Sequence, residues 1–274
     1  MTDGTDSSCP DHGRQALYER PSPGPRRTAL APAGPRPAPP PAPPRRRLFA
    51  RTVLAPALLL TAAVVYNDWL LEFPLPTGLD PRHSYVSELY AADQRFHLLF
   101  GAAELLAAAL VVAGALLARD RRTGPVAEAG WWCLVAFGIC SVADVIVPMR
   151  CAPSVEAGCE AVNPWHTATS ALVHAALFGS MFLFTVAAAQ ARWPVLSRWT
   201  PWLPAAALAT AVSTVGPLFG HPGWHGVPQR AHLVLVGAWF VLLATELRGP
   251  VGERGGAPGL SVGGALPKTP QRRR

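Results

Sequence analysis

The chain has 274 residues, of which 50% are hydrophobic and 15% are charged, and its formal net charge is +7. This composition is too apolar for an ordinary soluble domain. The positive charges flank apolar stretches and form no basic patch with interleaved aromatic residues, so they do not indicate nucleic-acid binding. The expected partner is a lipid bilayer.

The N-terminal segment, residues 1 to 47, is rich in proline and arginine. Eleven of the 24 residues from Pro21 to Pro44 are proline, and such a segment buries too little apolar surface to offset the entropy of ordering it. We expect a disordered cytoplasmic tail, with a ligand for an SH3-type domain as the alternative. Residues 249 to 274 are predicted to form a second disordered, basic cytoplasmic tail.

Between the tails, residues 48 to 248 contain a series of apolar runs. A bilayer core of about 30 Å requires roughly 20 helical residues. Applied along the chain, this length predicts six spans at residues 48 to 70, 96 to 118, 130 to 149, 166 to 190, 201 to 219 and 228 to 248. The predicted fold is therefore all-α, a polytopic transmembrane bundle of about six helices.

Lys and Arg residues are distributed unevenly between the two sides of this bundle. If the N-terminus lies inside, 20 of the 24 Lys and Arg residues lie on the inner side, and only Arg82, Arg95, Arg150 and Arg230 lie outside. The positive-inside rule therefore predicts a multipass cell-membrane protein with both termini in the cytoplasm.

Two outer loops contain local motifs. In the first, residues 84 to 89 read SYVSEL, and Ser84 or Ser87 is expected to cap a short interfacial helix. In the loop between the third and fourth spans, Cys151 and Cys159 lie where an oxidising compartment permits a disulfide. A metal site is the alternative for this pair, although no CxxC or HxxxH partner lies nearby.

Arg230 lies just inside the outer boundary of the sixth span. Three roles are open to it at this depth. It snorkels to lipid headgroups, pairs with an outer carboxylate such as Asp144, or receives an anionic group of a substrate.

Ionisable residues inside the spans share one layer. At about 1.5 Å per residue, Glu104, Asp144, His174 and His232 lie about 6 to 12 Å from the outer ends of their helices, whereas the inner halves are almost entirely apolar. Isolated charges in a bilayer are costly. We therefore expect these four residues and Ser141 to line a polar cavity that opens outward, and they are the candidate catalytic residues.

The chemistry of these residues suggests a metal or acid/base site. Asp144, His174 and His232 are the candidate ligands of a divalent metal such as zinc, whose bound water would be the nucleophile while Ser141 orients the substrate. Without a metal, the same groups would relay protons. The structural alternative is interhelical hydrogen bonding or a salt bridge, and for Glu104 close helix packing.

Three segments together resemble a known family. They are SYVSEL at residues 84 to 89, the stretch from Asp144 to Ser154 with Cys159, His166 and His174 beyond it, and GVPQR at residues 226 to 230. In these segments the chain resembles bacterial multipass membrane proteins of the domain of unknown function 998 family. The resemblance covers about residues 48 to 248, and it implies a multipass architecture without an established activity.

A second resemblance suggests a reaction. Ser141-x-x-Asp144 in one helix, with histidines in later helices, is similar to the Ser/Asp/His constellation of the alkaline ceramidase and adiponectin-receptor superfamily of seven-helix, zinc-dependent lipid amidases. This chain departs from that superfamily in two ways. It has six predicted spans instead of seven, and it lacks the paired HxxxH expected near the C-terminus, having only His221-x-x-x-His225 in a loop and His232 beyond it. The resulting hypothesis is a metal-dependent membrane hydrolase acting on a lipid-like substrate. The alternative is a non-enzymatic small transporter or a membrane accessory protein that binds a lipid or small molecule.

Overall fold

The computed structural model describes residues 49–119, 124–160, 163–191, 193–221 and 223–249. These residues form six helices of ten or more residues: α1 Ala55–Val65, α2 His97–Ala118, α3 Pro125–Ile146, α4 Pro164–Ala191, α5 Leu203–Val212 and α6 Gly226–Arg248. No strand occurs within the described ranges. The two predicted tails, apart from residue 249, lie outside the described residues.

Shorter helical turns lie between these helices. A π-helical turn, Ala50–Leu54, leads directly into α1, and a single α-helical turn, Leu196–Trp199, lies between α4 and α5. The remaining turns are of the 3₁₀ type: Asp68–Glu72, Val86–Tyr90 and Gly216–Phe219.

Five helical segments of the described chain are long and apolar enough to cross a membrane. They are Ala50–Glu72, His97–Ala118, Pro125–Ile146, Pro164–Ala191 and Gly226–Arg248. These segments also expose large apolar side chains, such as Leu98, Ile139 and Phe182, the last of which is 67% exposed. Such faces suit lipid, in which a helix satisfies its own backbone hydrogen bonds. The chain is an all-helical multipass membrane protein.

Helix α5 is shorter than the span predicted over residues 201 to 219. It has 10 residues, which is about 15 Å of helix. The helix ends at Val212, and Gly216-Pro217 opens a separate 3₁₀ turn. Proline lacks the N–H that would continue the helical ladder, and it disfavours helical backbone in the residue before it. The six-span count therefore remains a prediction.

The segments that follow α1, α3 and α5 meet at one end of the bundle. The Ala92 N–H donates to the Met149 carbonyl at 2.9 Å, and the Tyr85 hydroxyl donates to the Thr214 carbonyl at 2.9 Å. A Cys151–Cys159 disulfide lies in the segment between α3 and α4. We call the end formed by these three segments the disulfide end.

The helices approach one another closely below this end, where small residues lie between them. A Cβ atom placed on Gly138 of α3 would lie 2.9 Å from the Ala108 carbonyl oxygen of α2. A Cβ atom on Gly237 of α6 would lie 3.1 Å from the Ala63 carbonyl oxygen of α1. Close backbone approach of this kind increases van der Waals contact between membrane helices. The space between the helices is therefore wider at the disulfide end than where Gly138 and Gly237 lie.

Candidate functional site

A cavity of about 450 Å³ lies at the disulfide end of the bundle. All six helices or the turns beside them contribute to its wall. Tyr66 follows α1, Glu104 comes from α2, Asp144 from α3, His174 from α4 and His232 from α6. The four ionisable residues that depth in the sequence predicts to share one layer all line this cavity.

The Asp144 carboxylate is surrounded by hydroxyl donors. The Tyr90 hydroxyl donates to Oδ2 at 2.9 Å, and Thr169 and Ser170 lie 2.5 Å and 2.9 Å from Oδ1. The Nδ1 atom of His166 lies 3.4 Å from the same oxygen. Donors of this kind stabilise an ionised carboxylate in a buried place. Asp144 thus joins α3, α4 and the turn that ends at Tyr90.

Tyr90 is suited to donate this hydrogen bond. Burial raises the pKa of Tyr90 well above its ordinary value, and the charges of Asp144 and Glu104 raise it further. The phenol therefore keeps its proton at neutral pH. Its position depends on the 3₁₀ turn Val86–Tyr90, which carries the side chain from the first connecting segment to the cavity wall.

His174 and His232 form a stacked pair across two helices. Their ring centroids are 5.1 Å apart, and their planes differ by 20°. The Nδ1 atom of His174 lies 2.7 Å from the Ser170 carbonyl oxygen, and that of His232 lies 2.9 Å from the Ala207 carbonyl oxygen. A carbonyl only accepts, so Nδ1 carries the proton in both rings. In the neutral form each Nε2 atom is then an acceptor.

Two further carboxylates line the cavity, Asp68 after α1 and Glu104 in α2. Within the described part of the chain, neither forms an ion pair. Glu104 is repelled by Asp68 and Asp144 when the three groups are ionised. The described lining residues include no Lys or Arg. The cavity therefore has an acidic character that no neighbouring cation balances.

The predicted metal ligands do not assemble into one coordination site. Asp144 lies beside His166, whereas His174 and His232 lie beside each other. Among the residues that the structure describes, no group of three or more His, Cys, Asp or Glu side chains is arranged to hold a metal ion. Ser141, predicted to orient a substrate, is 1% exposed and is not part of the cavity lining.

The segments at the disulfide end are fixed to one another by Glu88. Its carboxylate accepts from the Tyr85 N–H at 2.8 Å, and from the N–H and hydroxyl of Ser154 at 3.0 Å and 2.5 Å. Glu88 therefore caps the 3₁₀ turn. The prediction that Ser84 or Ser87 caps this turn is wrong, because a carboxylate reaching back from inside the turn satisfies the free N–H instead.

The predicted cysteine pair is a disulfide in the structure. Cys151 and Cys159 have Cα atoms 6.0 Å apart, a usual separation for bonded cysteines. Ser154, which contacts Glu88, lies within the loop that this disulfide closes. The disulfide thus closes a loop between α3 and α4 that contacts the segment after α1 beside the cavity.

Arg230 pairs with a carboxylate that the sequence analysis did not consider. Its Nε and Nη2 atoms donate to the two carboxylate oxygens of Glu72, each at 2.6 Å, and Nη1 donates to the carbonyls of Pro81 and Ser84. Both charged side chains are buried. Pairing with an outer carboxylate, one of the three predicted roles, is therefore the role that the structure shows, with Glu72 as the partner in place of Asp144. Snorkelling is wrong, because the guanidinium is buried and connects α6 to the first connecting segment.

Several residues of the site escaped the sequence analysis. Asp68 lies at the end of the first predicted span but was not assigned to the polar layer, Tyr90 lies in a connecting segment where span-based depth gives no position, and Thr169 has no charge to mark it. The Nδ1 atom of His166 lies 3.2 Å from the Val147 carbonyl oxygen and 3.4 Å from Asp144 Oδ1. Thr169 and Ser170 follow His166 by three and four residues, a spacing that places the three side chains on one face of a helix. This spacing was the signal in the sequence for a shared polar site.

Comparison with known proteins gives a family and no activity. A family model described as "Protein of unknown function (DUF998)" matches residues 53–246. Comparison with curated proteins and with solved structures found no match. The matched region begins just before α1 and ends within the last turn of α6, so it contains the whole cavity. The chain therefore belongs to the DUF998 family of membrane proteins of unknown function.

Proposed function

We propose that this protein binds a small amphipathic molecule in the cavity at the disulfide end. The observation that carries the proposal is the cavity itself, whose volume of about 450 Å³ is typical of small-molecule sites. Such sites combine a mostly apolar wall with a few convergent polar groups. A cavity of this kind suits a molecule with one polar group and an apolar remainder.

The lining residues divide into an apolar part and a polar part. Phe100, Phe178 and Leu233 provide apolar surface from three different helices. The stacked histidines provide acceptor nitrogens, and the carboxylates provide charge. We infer that the polar group of the ligand contacts these side chains while its apolar part packs against the aromatic and aliphatic wall.

We further infer that the chain crosses the membrane six times, with the disulfide end outside and both termini in the cytoplasm of a cell-membrane protein. At the far end of the bundle, Glu246 of α6 accepts from the N–H groups of Val195 and Leu196, each at 3.0 Å. Thr214 accepts from Tyr85 at the disulfide end. These contacts support a full crossing between residues 196 and 214, although α5 itself is short.

Filling the cavity tests the proposal directly. Ala171 lines the cavity, whereas the next residue, Leu172, is exposed on the outer face of α4 and is not part of the lining. We expect 1-octanol to raise the thermal unfolding temperature of the wild type in lipid nanodiscs. In Ala171→Trp the indole occupies the site, so the increase should disappear.

The matched control is Leu172→Trp, which adds the same indole to the lipid-facing side of the same helix. Its response to 1-octanol should equal that of the wild type. Equal responses in all three proteins would mean that octanol acts through the surrounding lipid, and the proposed binding site would be refuted.

A further inference from the structure

The cavity is lined by three carboxylates and by three histidines, His166, His174 and His232. Asp68, Glu104 and Asp144 contribute three carboxylates from three different parts of the fold. The described lining contains no Lys or Arg. The buried guanidinium of Arg230 is already occupied by Glu72 and backbone carbonyls. No Lys or Arg of the described lining therefore balances these acids.

The three carboxylates differ in how well the protein satisfies them. Asp144 accepts from hydroxyl groups of Tyr90, Thr169 and Ser170. Among the described residues, Asp68 accepts only from backbone N–H groups, its own and that of Trp69, and neither Asp68 nor Glu104 forms an ion pair. A buried charge without a partner is costly in a low-dielectric setting. A positively charged ligand group next to Glu104 and Asp68 would remove that cost.

A buried hydroxyl beside this pair is an independent observation. Ser141 Oγ is fully buried and has no hydrogen-bonding partner of ordinary geometry, yet it lies close enough to Glu104 to interact with its carboxylate. Buried polar groups without a partner are uncommon, and an absent ion or ligand is one explanation for them. A ligand that engages Glu104 would fix the carboxylate in a position where Ser141 donates to it.

Aromatic rings complete the environment of a cation. Tyr66, Tyr90, Phe100 and Phe178 line the same cavity as the carboxylates. The faces of such rings attract ammonium groups, with a stabilisation of about 0.5 to 2 kcal/mol. The Nε2 atoms of His174 and His232 add acceptors suited to the N–H donors of a protonated amine.

We propose that the ligand of this cavity is a cationic amphiphile, a protonated amine carried on an apolar chain. The ammonium group lies between Glu104 and Asp68, and the apolar chain packs along Phe178 and Leu233. This inference rests on the proposed binding function and assigns its ligand class. An anionic headgroup, such as a carboxylate or phosphate, would be repelled by the three carboxylates of this lining.

Three probes with one chain length separate the possibilities. Octylamine is cationic at pH 7, 1-octanol is neutral and octanoate is anionic. Binding to the wild type in zwitterionic nanodiscs is measured by calorimetry, with partition into empty nanodiscs subtracted. We expect octylamine to bind at least about tenfold more tightly than 1-octanol, since a single close charge pair or cation–π contact is sufficient for that difference, and octanoate to bind more weakly than either.

Variants of the two carboxylates test whether they cause the preference for the amine over the alcohol. Glu104→Gln and Asp68→Asn should each reduce the amine-to-alcohol ratio to less than about threefold, and the thermal unfolding temperature of each variant reports that it is folded. Asp93→Asn removes an exposed carboxylate that does not line the cavity, and it should keep the full preference.

The outcomes separate the ligand class from the binding function. Equal affinity for amine and alcohol in the wild type, or tightest binding of octanoate, would overturn the cationic ligand and leave the binding site intact. Persistence of the amine preference in both Glu104→Gln and Asp68→Asn would also overturn it. Saturable binding of none of the three probes would overturn the proposed function together with its ligand class.

Discussion

Arg230 illustrates how single residues fix the disulfide end. All three guanidinium nitrogens donate to protein acceptors, and the two contacts with Glu72 are bidentate. Planar forked pairs of this type are the stronger charge-assisted hydrogen bonds. Since Glu72 ends the first membrane-spanning segment, the pair holds α6 against the chain that follows α1.

Removing the arginine should therefore be costly. We expect Arg230→Met to lower the free energy of unfolding by about 3 to 5 kcal/mol, because Glu72 is left buried without its partner. The measurement is denaturant unfolding of the purified protein in detergent. The control is Arg82→Met, since Arg82 pairs with Asp80 on the exposed surface, where ion pairs contribute little. Equal losses in the two variants would contradict this account.

Elements as well as residues are locked together at this end. Glu88 links the 3₁₀ turn Val86–Tyr90 to Ser154 of the disulfide loop, and the turn in turn presents Tyr90 to Asp144. The loop and the turn therefore act as one unit that positions a wall of the cavity. The disulfide constrains only this unit, because Cys151 and Cys159 are 8 residues apart.

Loss of the disulfide should loosen this unit and leave the bundle folded. A closed loop of this length contributes about 2 to 3 kcal/mol in the chain-entropy model. We expect the Cys151→Ala/Cys159→Ala double variant to show faster amide exchange in residues 84–90 and 149–159, with α2 and α3 unchanged. Cys133→Ala, which removes a free thiol, should leave exchange in both segments unaltered. Unchanged exchange in the double variant would show that Glu88 alone holds the unit.

Hydropathy predicts the long helices well and the short one poorly. The predicted span over residues 96 to 118 differs from α2 by one residue at its start, because an unbroken apolar run has only one way to cross lipid. Residues 201 to 219 are also apolar, but the regular helix ends at Val212 and Gly216-Pro217 opens a separate turn. A window average does not register a single missing N–H.

At the scale of the whole molecule, contacts between residues that are distant in sequence determine the geometry of the site. Sequence depth placed Glu104, Asp144, His174 and His232 in one layer, and all four line the cavity. Depth gives no rotation about a helix axis, however, so it could not separate Ser141, which does not line the cavity, from Asp144, which does. It also could not assign Arg230 to Glu72, 158 residues away.

The proposed topology predicts the location of each connecting segment. Because Lys and Arg are concentrated on one side, reporter fusions after Thr123 and Leu196 should read as cytoplasmic, and fusions near Gly78 and Ala157 should read as external. These four sites test the first four crossings, and a fusion after Arg274 tests the last two, because it should read as cytoplasmic with six crossings and as external if residues 201 to 219 do not cross. Leu196 and Ala157 on the same side would contradict six crossings.

The central claim is that the cavity at the disulfide end holds a small amphipathic molecule, and photolabelling with 3-azioctanol followed by peptide mapping tests it most directly. The diazirine reacts with whatever surrounds it when it is illuminated. The account predicts saturable adducts on cavity residues such as Tyr90, His174 and Leu233, abolished in Ala171→Trp and retained in Leu172→Trp. Adducts confined to lipid-facing residues such as Ile139 and Phe182, with no difference between the two variants, would contradict it.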